Sequence, residues 1–213
     1  MAGIELIGLR ISVYTRIARL ALEEKNLDYR LTEVDIFADD GPPEDYLEQH
    51  PFGTIPCFRH DDFVLYETGA ITRYIDEAFP GNSLQPKKPA QRARMNQIIS
   101  VLDAYAYRPM VWDVYVQRVV VPEGGGKSDE ATISAGLSLS SIVLKQLERW
   151  FGVTEFLVGN SVTLADLHAF PMLLYFAQTD EGANLLQTAP QLQLWLERMQ
   201  ARPSAQATHF YSD

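Results

Sequence analysis

Three short runs place hydroxyl, carboxylate and backbone hydrogen-bonding groups where one type of element gives way to another. In Ile11-Ser12-Val13-Tyr14-Thr15-Arg16 an apolar stretch runs into a helical pattern, which sets Ser12 at a helix N-terminus. Unpaired N–H groups and the helix dipole favour an anion there, and a serine is also an ordinary N-cap. In His50-Pro51-Phe52-Gly53-Thr54-Ile55-Pro56 a turn leads into a strand opened by proline. Such a proline belongs at a sheet edge or carries a cis bond, and a cis bond would turn the Ile55 N–H and C=O outward, free for an extended peptide-like ligand. In Tyr66-Glu67-Thr68-Gly69-Ala70-Ile71 a strand ends and a helix begins with a carboxylate beside a hydroxyl. Glu67 can hold an amine while Thr68 and the helix end hold a carboxylate, a pairing that suits an amino-acid head group. A plain helix cap would use the same residues.

Other chemistries find no residues to carry them. His50, His60, His168 and His209 are scattered, without paired Cys or His at metal spacing, so no metal is expected. Gly126-Lys127-Ser128 resembles the end of a phosphate loop, but Val121 stands where that loop needs glycine. There is no G-x-S-x-G elbow. Cys57 is the single cysteine and follows Pro56 into a strand, which reads as a buried, inert thiol.

Charge narrows the class further. The 213 residues carry a formal net charge of -10, so binding to nucleic acid, which needs a basic face to release counterions, is not expected. Eleven acids and two bases lie between Asp28 and Glu67, whereas from Arg73 to Arg118 seven bases face four acids. A solvated acidic face is the plain account of the first segment. No charged-then-apolar leader opens the sequence, and the longest apolar run, Phe170 to Ala177, is far below the roughly 20 residues of a membrane span. With one cysteine and 46% hydrophobic residues, the expectation is a soluble cytoplasmic protein with a full core.

The elements that must position these runs follow from periodicity. Apolar residues from Ile4 to Ile11 suggest a buried strand, and Ile17, Leu20, Ala21 and Leu22 a helix over 14–26. Alternation from Tyr29 to Asp35 gives a second strand, and Asp39-Asp40-Gly41-Pro42-Pro43 a loop before a helical turn at 44–48. Ile55 to Arg59 and Phe63 to Tyr66 form a hairpin about His60-Asp61-Asp62, and a helix follows to Phe79. The result is a small mixed sheet with helices on its faces over residues 1–80. Prolines and a turn triplet make 81–89 a linker, and 90–213 is helical, in segments 90–121, 129–151, 164–176, 180–186 and 191–201. Thr163-Leu164-Ala165-Asp166 is a capping box with Asp in place of Glu.

Together the run from Ser12 to Tyr29, His50-Pro51-Phe52-Gly53-Thr54-Ile55-Pro56, Glu67-Thr68-Gly69-Ala70-Ile71 and the capping box resemble the glutathione S-transferase superfamily over essentially the whole chain. The likeness is greatest to its serine-type phi group and bacterial relatives. It implies a thioredoxin-like α/β N-terminal domain that binds glutathione as co-substrate, and an all-α C-terminal domain bearing the site for a hydrophobic electrophile. Ser12 matches the serine that stabilises the glutathione thiolate. Thr54, Ile55, Glu67 and Thr68 match glutathione-contacting positions, Ile55 by its backbone. Asp166 matches a structural residue.

Two departures from the phi pattern stand out. A lysine that helps hold the glycyl carboxylate is replaced within Asp40-Gly41-Pro42-Pro43, which leaves Arg16 or His50 as substitute cations, and Thr54 stands where glutamine is frequent. For the electrophile, Tyr14, Tyr107, Met110, Val111 and Tyr115 combine aromatic and soft side chains, equally consistent with core packing. The resemblance implies an enzyme that conjugates glutathione to apolar electrophiles, acting as a homodimer. Glutathione-dependent peroxidase, dehalogenase or isomerase activity and a non-catalytic glutathione-fold binding module are the alternatives.

Overall fold

The computed structural model describes residues 3–39 and 41–209. Asp40, in the expected loop, lies outside the described residues. The chain divides into two compact units, one of 1–84 together with the segment from Arg202, the other Gln85–Ala201. The expectation that 90–213 forms a single helical domain is therefore corrected at its end: the last segment belongs with the first unit.

In the first unit the strands are β1 (Ile4–Ile7), β2 (Arg30–Thr32), β3 (Cys57–His60) and β4 (Phe63–Tyr66), in the order β2-β1-β3-β4. β1 runs parallel to β2, and the other pairs are antiparallel. Helices α1 (Val13–Glu24), α2 (Glu44–Gln49) and α3 (Thr68–Ala78) connect or follow them. Strand alternation sends Leu6 and Phe58, both fully buried, to the face that meets Tyr74 of α3. Ile7, Val34, Tyr46 of α2, Ile55 and Cys57 form the core on the other face. Glu5 lies on that second face, buried between cross-strand partners Arg30 and Arg59 and accepting a hydrogen bond from the Thr32 hydroxyl at 2.5 Å.

α1 ends at Lys25, and Asn26 follows at φ 52°, the left-handed residue that closes many helices. The buried Lys25 ammonium donates to the Asp76 and Asn82 carbonyls at 3.0 and 3.2 Å and pairs with the Asp76 carboxylate. That carboxylate also accepts Leu84 N–H at 2.7 Å, tying the end of α3 to the chain beyond it. A short helix absent from the sequence expectation, α10 (Pro203–Ala207), lies against α1. Arg16 and Arg19 of α1 donate to the carbonyls of Ala205 (3.1 Å) and Ala207 (3.1 Å) near its C-terminal end, where cations are favoured. The Glu24 carboxylate of α1 accepts bonds from Arg202 Nε and one terminal guanidinium nitrogen, each at 2.7 Å.

In the second unit α4 (Pro89–Val101) passes without a break into a π-helix, Leu102–Val120, with Pro109 inside it and a single turn, α5 (Val121–Glu123), at its end. The expected helix 90–121 is thus present, in two registers. α6 (Glu130–Phe151), α7 (Leu164–Phe176), α8 (Asp180–Leu186) and α9 (Pro190–Gln200) complete the unit. α7 is buried almost throughout, and α4, the π-helix and α9 pack against it. Glu148 of α6 accepts the N–H groups of Gln191 and Leu192 at 3.0 Å each, so a carboxylate from one helix caps the start of α9.

Asp166 anchors this unit. Its fully buried carboxylate accepts Thr163 N–H and Thr163 O–H at 2.8 Å, Leu157 N–H at 2.8 Å and the Trp195 indole N–H at 2.9 Å. Burial pushes its pKa up while these four bonds pull it down. The capping box therefore also joins the loop before α7 to α9 through Trp195. Asp166→Ala leaves several buried donors without an acceptor and should lower unfolding stability by more than about 3 kcal/mol, measured by urea denaturation. A loss below about 1 kcal/mol would show that the four bonds are not what holds the unit.

Candidate functional site

Strand register gathers the three chemistry-bearing runs at one end of the sheet. Cys57 is opposite Ile7 on one side and Tyr66 on the other, and Ile7 is opposite Thr32. One row thus crosses all four strands at the level where β1 and β4 end and β3 begins. Just beyond it lie Gly8, the Ile55–Pro56 pair and the Glu67–Thr68 pair. Gly8 is the point of closest approach: a Cβ there would sit 2.4 Å from Thr15 Oγ1 and 3.4 Å from Ile55 Cβ. Only glycine lets the exit of β1, the first turn of α1 and Ile55 come this close.

Ser12 caps α1, and its Oγ accepts Thr15 N–H at 3.3 Å. The side chain is only half-buried, so the hydroxyl retains its proton for a second partner. First-turn N–H groups of α1 add a positive dipole end beside it. The Ile55–Pro56 peptide is cis, one of the two states expected. Ile55 is buried and Thr54 is exposed.

Glu67 is the N-cap of α3 but makes no side-chain cap; its carbonyl takes the Ala70 and Ile71 N–H groups at 2.9 Å. The carboxylate is exposed and forms no bond to the helix it opens. Its backbone has φ 69°, a conformation that costs a non-glycine residue about 1–3 kcal/mol and is found where function holds it in place. Thr68 follows as a buried first residue of α3.

The two substitute cations are accounted for differently. Arg16 is buried, and its guanidinium donates to Ala205 O and to the Thr208 hydroxyl, at 3.1 and 3.4 Å, so it is a structural residue. His50 is also buried, with Nε2 3.0 Å from Thr54 Oγ1 and its ring 4.6 Å from that of Tyr66. Burial lowers its pKa, and the nearby Glu67 charge acts in the opposite direction. Cys57 is fully buried and its thiol is pushed up to about 11, the inert cysteine that was expected.

Of the five electrophile candidates, Tyr14 is half-buried on α1. Tyr107 and Tyr115 are half-buried on the π-helix, with Tyr115 at 4.4 Å from the Tyr175 ring. Burial raises the Tyr107 pKa. Met110 and Val111 are buried. Among the described residues no cluster of His, Cys, Asp and Glu is suited to a metal, and no helix is long and apolar enough to cross a membrane.

The sequence reading missed Tyr46, whose hydroxyl donates to Thr54 O at 2.6 Å. A lone aromatic among the acids and amides of α2 was the available signal, because a buried tyrosine needs a partner for its O–H. Gly8 was missed too; a glycine directly after an apolar strand is a cue for close backbone approach.

A family model for the N-terminal domain of glutathione S-transferases matches residues 6–83, and one for their C-terminal domain matches 55–203. The chain belongs to the glutathione S-transferase family. Glutathione S-transferase F13 of Arabidopsis thaliana is 32% identical over 204 residues, covering 95% of this chain and 93% of that protein. The crystal structure of glutathione transferase F7 from Populus trichocarpa superposes with a TM-score of 0.85 at 30% identity, over 96% of this chain and 97% of the other. Glutathione S-transferase I of maize, solved with an atrazine glutathione conjugate, gives 0.84 at 25% identity, over 97% and 96%. These glutathione S-transferases are plant proteins, and the thioredoxin-like unit with a helical unit is the fold they share with this chain.

A direct consequence of the Glu67 geometry is separable from its charge. Glu67→Gly should raise stability by about 0.5–1 kcal/mol by relieving the backbone, while weakening glutathione binding at least fivefold. Denaturation and calorimetric titration check the two halves, and a less stable variant would remove the case for strain.

Proposed function

We propose that this glutathione transferase joins the sulfur of glutathione to hydrophobic electrophiles, with Ser12 holding the thiolate. The observation that carries the reading is the half-buried Ser12 side chain at the N-cap of α1, the helix whose first turn comes close to Ile55 at Gly8. The Ser12 oxygen accepts Thr15 N–H and leaves its own rotatable O–H available to donate to sulfur. Lowering a thiol pKa from about 8.5 to about 6.5 takes roughly 2.7 kcal/mol. A hydrogen bond to a charged acceptor contributes about 1.5–3 kcal/mol and a helix N-terminus about 0.3–1 kcal/mol, enough to keep the thiolate populated at neutral pH.

Glutathione lies along Thr54–Ile55 as an added strand, with its γ-glutamyl ammonium at Glu67 and the adjoining carboxylate at Thr68 and the first turn of α3. The thiol proton leaves to solvent, the sulfur lone pair forms a bond to carbon, and the leaving group departs with its electron pair. On the helical unit, Tyr107 and Tyr115 offer aromatic surface to an apolar electrophile. The maize relative's atrazine conjugate is a product of this chemical kind.

Ser12→Ala should cut turnover of chlorodinitrobenzene by well over an order of magnitude while the protein is still retained on immobilised glutathione. Wild-type activity in that variant would remove Ser12 from the chemistry. A second reading, a binding module without turnover, draws on one observation: residues 31–58 contain no Lys or Arg, so the glycyl carboxylate has no cation from this stretch. Retention on glutathione with no turnover of any electrophile would favour it. If the missing charge limits binding, Pro42→Lys should lower the glutathione Michaelis constant severalfold; an unchanged constant would show that it does not.

A further inference from the structure

Thr54 is gripped from two directions by α2. Tyr46 donates its hydroxyl to the Thr54 carbonyl at 2.6 Å, and His50, the C-cap of the same helix, meets the Thr54 hydroxyl with Nε2 at 3.0 Å. His50 is itself held firmly. Its N–H donates to Tyr46 O at 2.9 Å, its carbonyl accepts Gly53 N–H at 2.9 Å, and its ring is 1% exposed, stacked on Tyr66 and met edge-on by Phe52. The second ring nitrogen, Nδ1, is buried and meets no acceptor other than its own residue's backbone. A bare lone pair is tolerable there, whereas a buried N–H on a charged ring is costly. The pocket therefore suits a neutral imidazole with its proton on Nε2, donated to Thr54 Oγ1.

We propose that His50 is a positioning residue for the thiol peptide: together with Tyr46 it clamps Thr54, so that the Thr54–Ile55 backbone is presented to the cysteinyl part of glutathione. The inference rests on the glutathione reading of this site. Thr54 then serves the ligand through its backbone, with its side chain acting as the strut that His50 holds. This is a different role from the carboxylate partner expected of His50, and it explains why a buried histidine is useful here.

The clamp is sensitive to pH. Groups facing the ring are Tyr46 of α2, Tyr66 of β4 and the Glu67 carboxylate at the start of α3. Desolvation keeps the folded-state pKa of His50 below its ordinary value of about 6.5. A proton on Nδ1 leaves the Nε2–H donor in place but puts a charge into a desolvated pocket, so below that value the clamp loosens by the charged ring leaving the pocket and taking its bond to Thr54 with it.

S-methylglutathione has no thiol to ionise, which separates this effect from thiolate chemistry. Its dissociation constant for the full-length protein, measured by calorimetry, should rise about three- to tenfold from pH 7 to pH 5.5, the loss expected for one hydrogen bond. Thr54→Val should weaken binding by a similar factor at pH 7 and flatten the pH dependence, and Thr54→Ser should restore both. His50→Asn, which cannot take up a proton, should also flatten it. A pH slope that survives in His50→Asn, or Thr54→Val binding like wild type at pH 7, overturns the clamp, as does a change confined to melting temperature. A wild-type protein that fails to bind S-methylglutathione at any pH overturns the glutathione reading and the clamp with it.

Discussion

The register of β3 between its two neighbours is the constraint on which the site depends. Cys57 faces Ile7 and Tyr66 at once, and this brings three segments far apart in sequence to a common level. A slip of one residue on either side would turn Phe58 out of the core and Arg59 away from Glu5, so burial on both faces guards the alignment. The buried Glu5, bracketed by arginines from both adjacent strands, adds an electrostatic check on the same register.

Much of this was legible in the chain, for identifiable reasons. Hydrophobic alternation and turn residues disclosed β2, β3, β4 and the hairpin between the last two. Helical period disclosed α1, α3, α6, α7 and α9, because each sets a broad apolar surface against a core. Ser12 and Glu67 were legible as residues at boundaries, where local sequence is most specific. What escaped was non-local. Arg16 looked like a free cation because nothing near it in sequence reveals the Ala205 and Thr208 oxygens it binds. His50 looked available for the same reason, its partner Tyr66 lying on another strand. Met110 and Val111 could not be told apart from cleft residues by type, since soft apolar side chains line pockets and fill cores alike.

The two caps, Ser12 and Asp166, show how burial decides what a polar side chain does. Asp166 meets four donors within a dry interior, so every acceptor site is spent on structure. Ser12 meets one backbone N–H at a half-open helix end and keeps its proton. Ser12 is an N-cap and Asp166 the third helical residue that reaches back to its N-cap, so both belong to helix starts, and burial makes one an anchor and leaves the other a candidate thiolate donor.

α10 has a consequence for the order in which the protein is made. Arg16, Arg19 and Glu24, all on α1, find their partners among residues 202–208. The helix that carries Ser12 is translated before residues 202–208, so the Ala205 and Ala207 carbonyls reach Arg16 and Arg19 only after another 189 and 188 residues have been added. The unit that begins first is the one that is completed last.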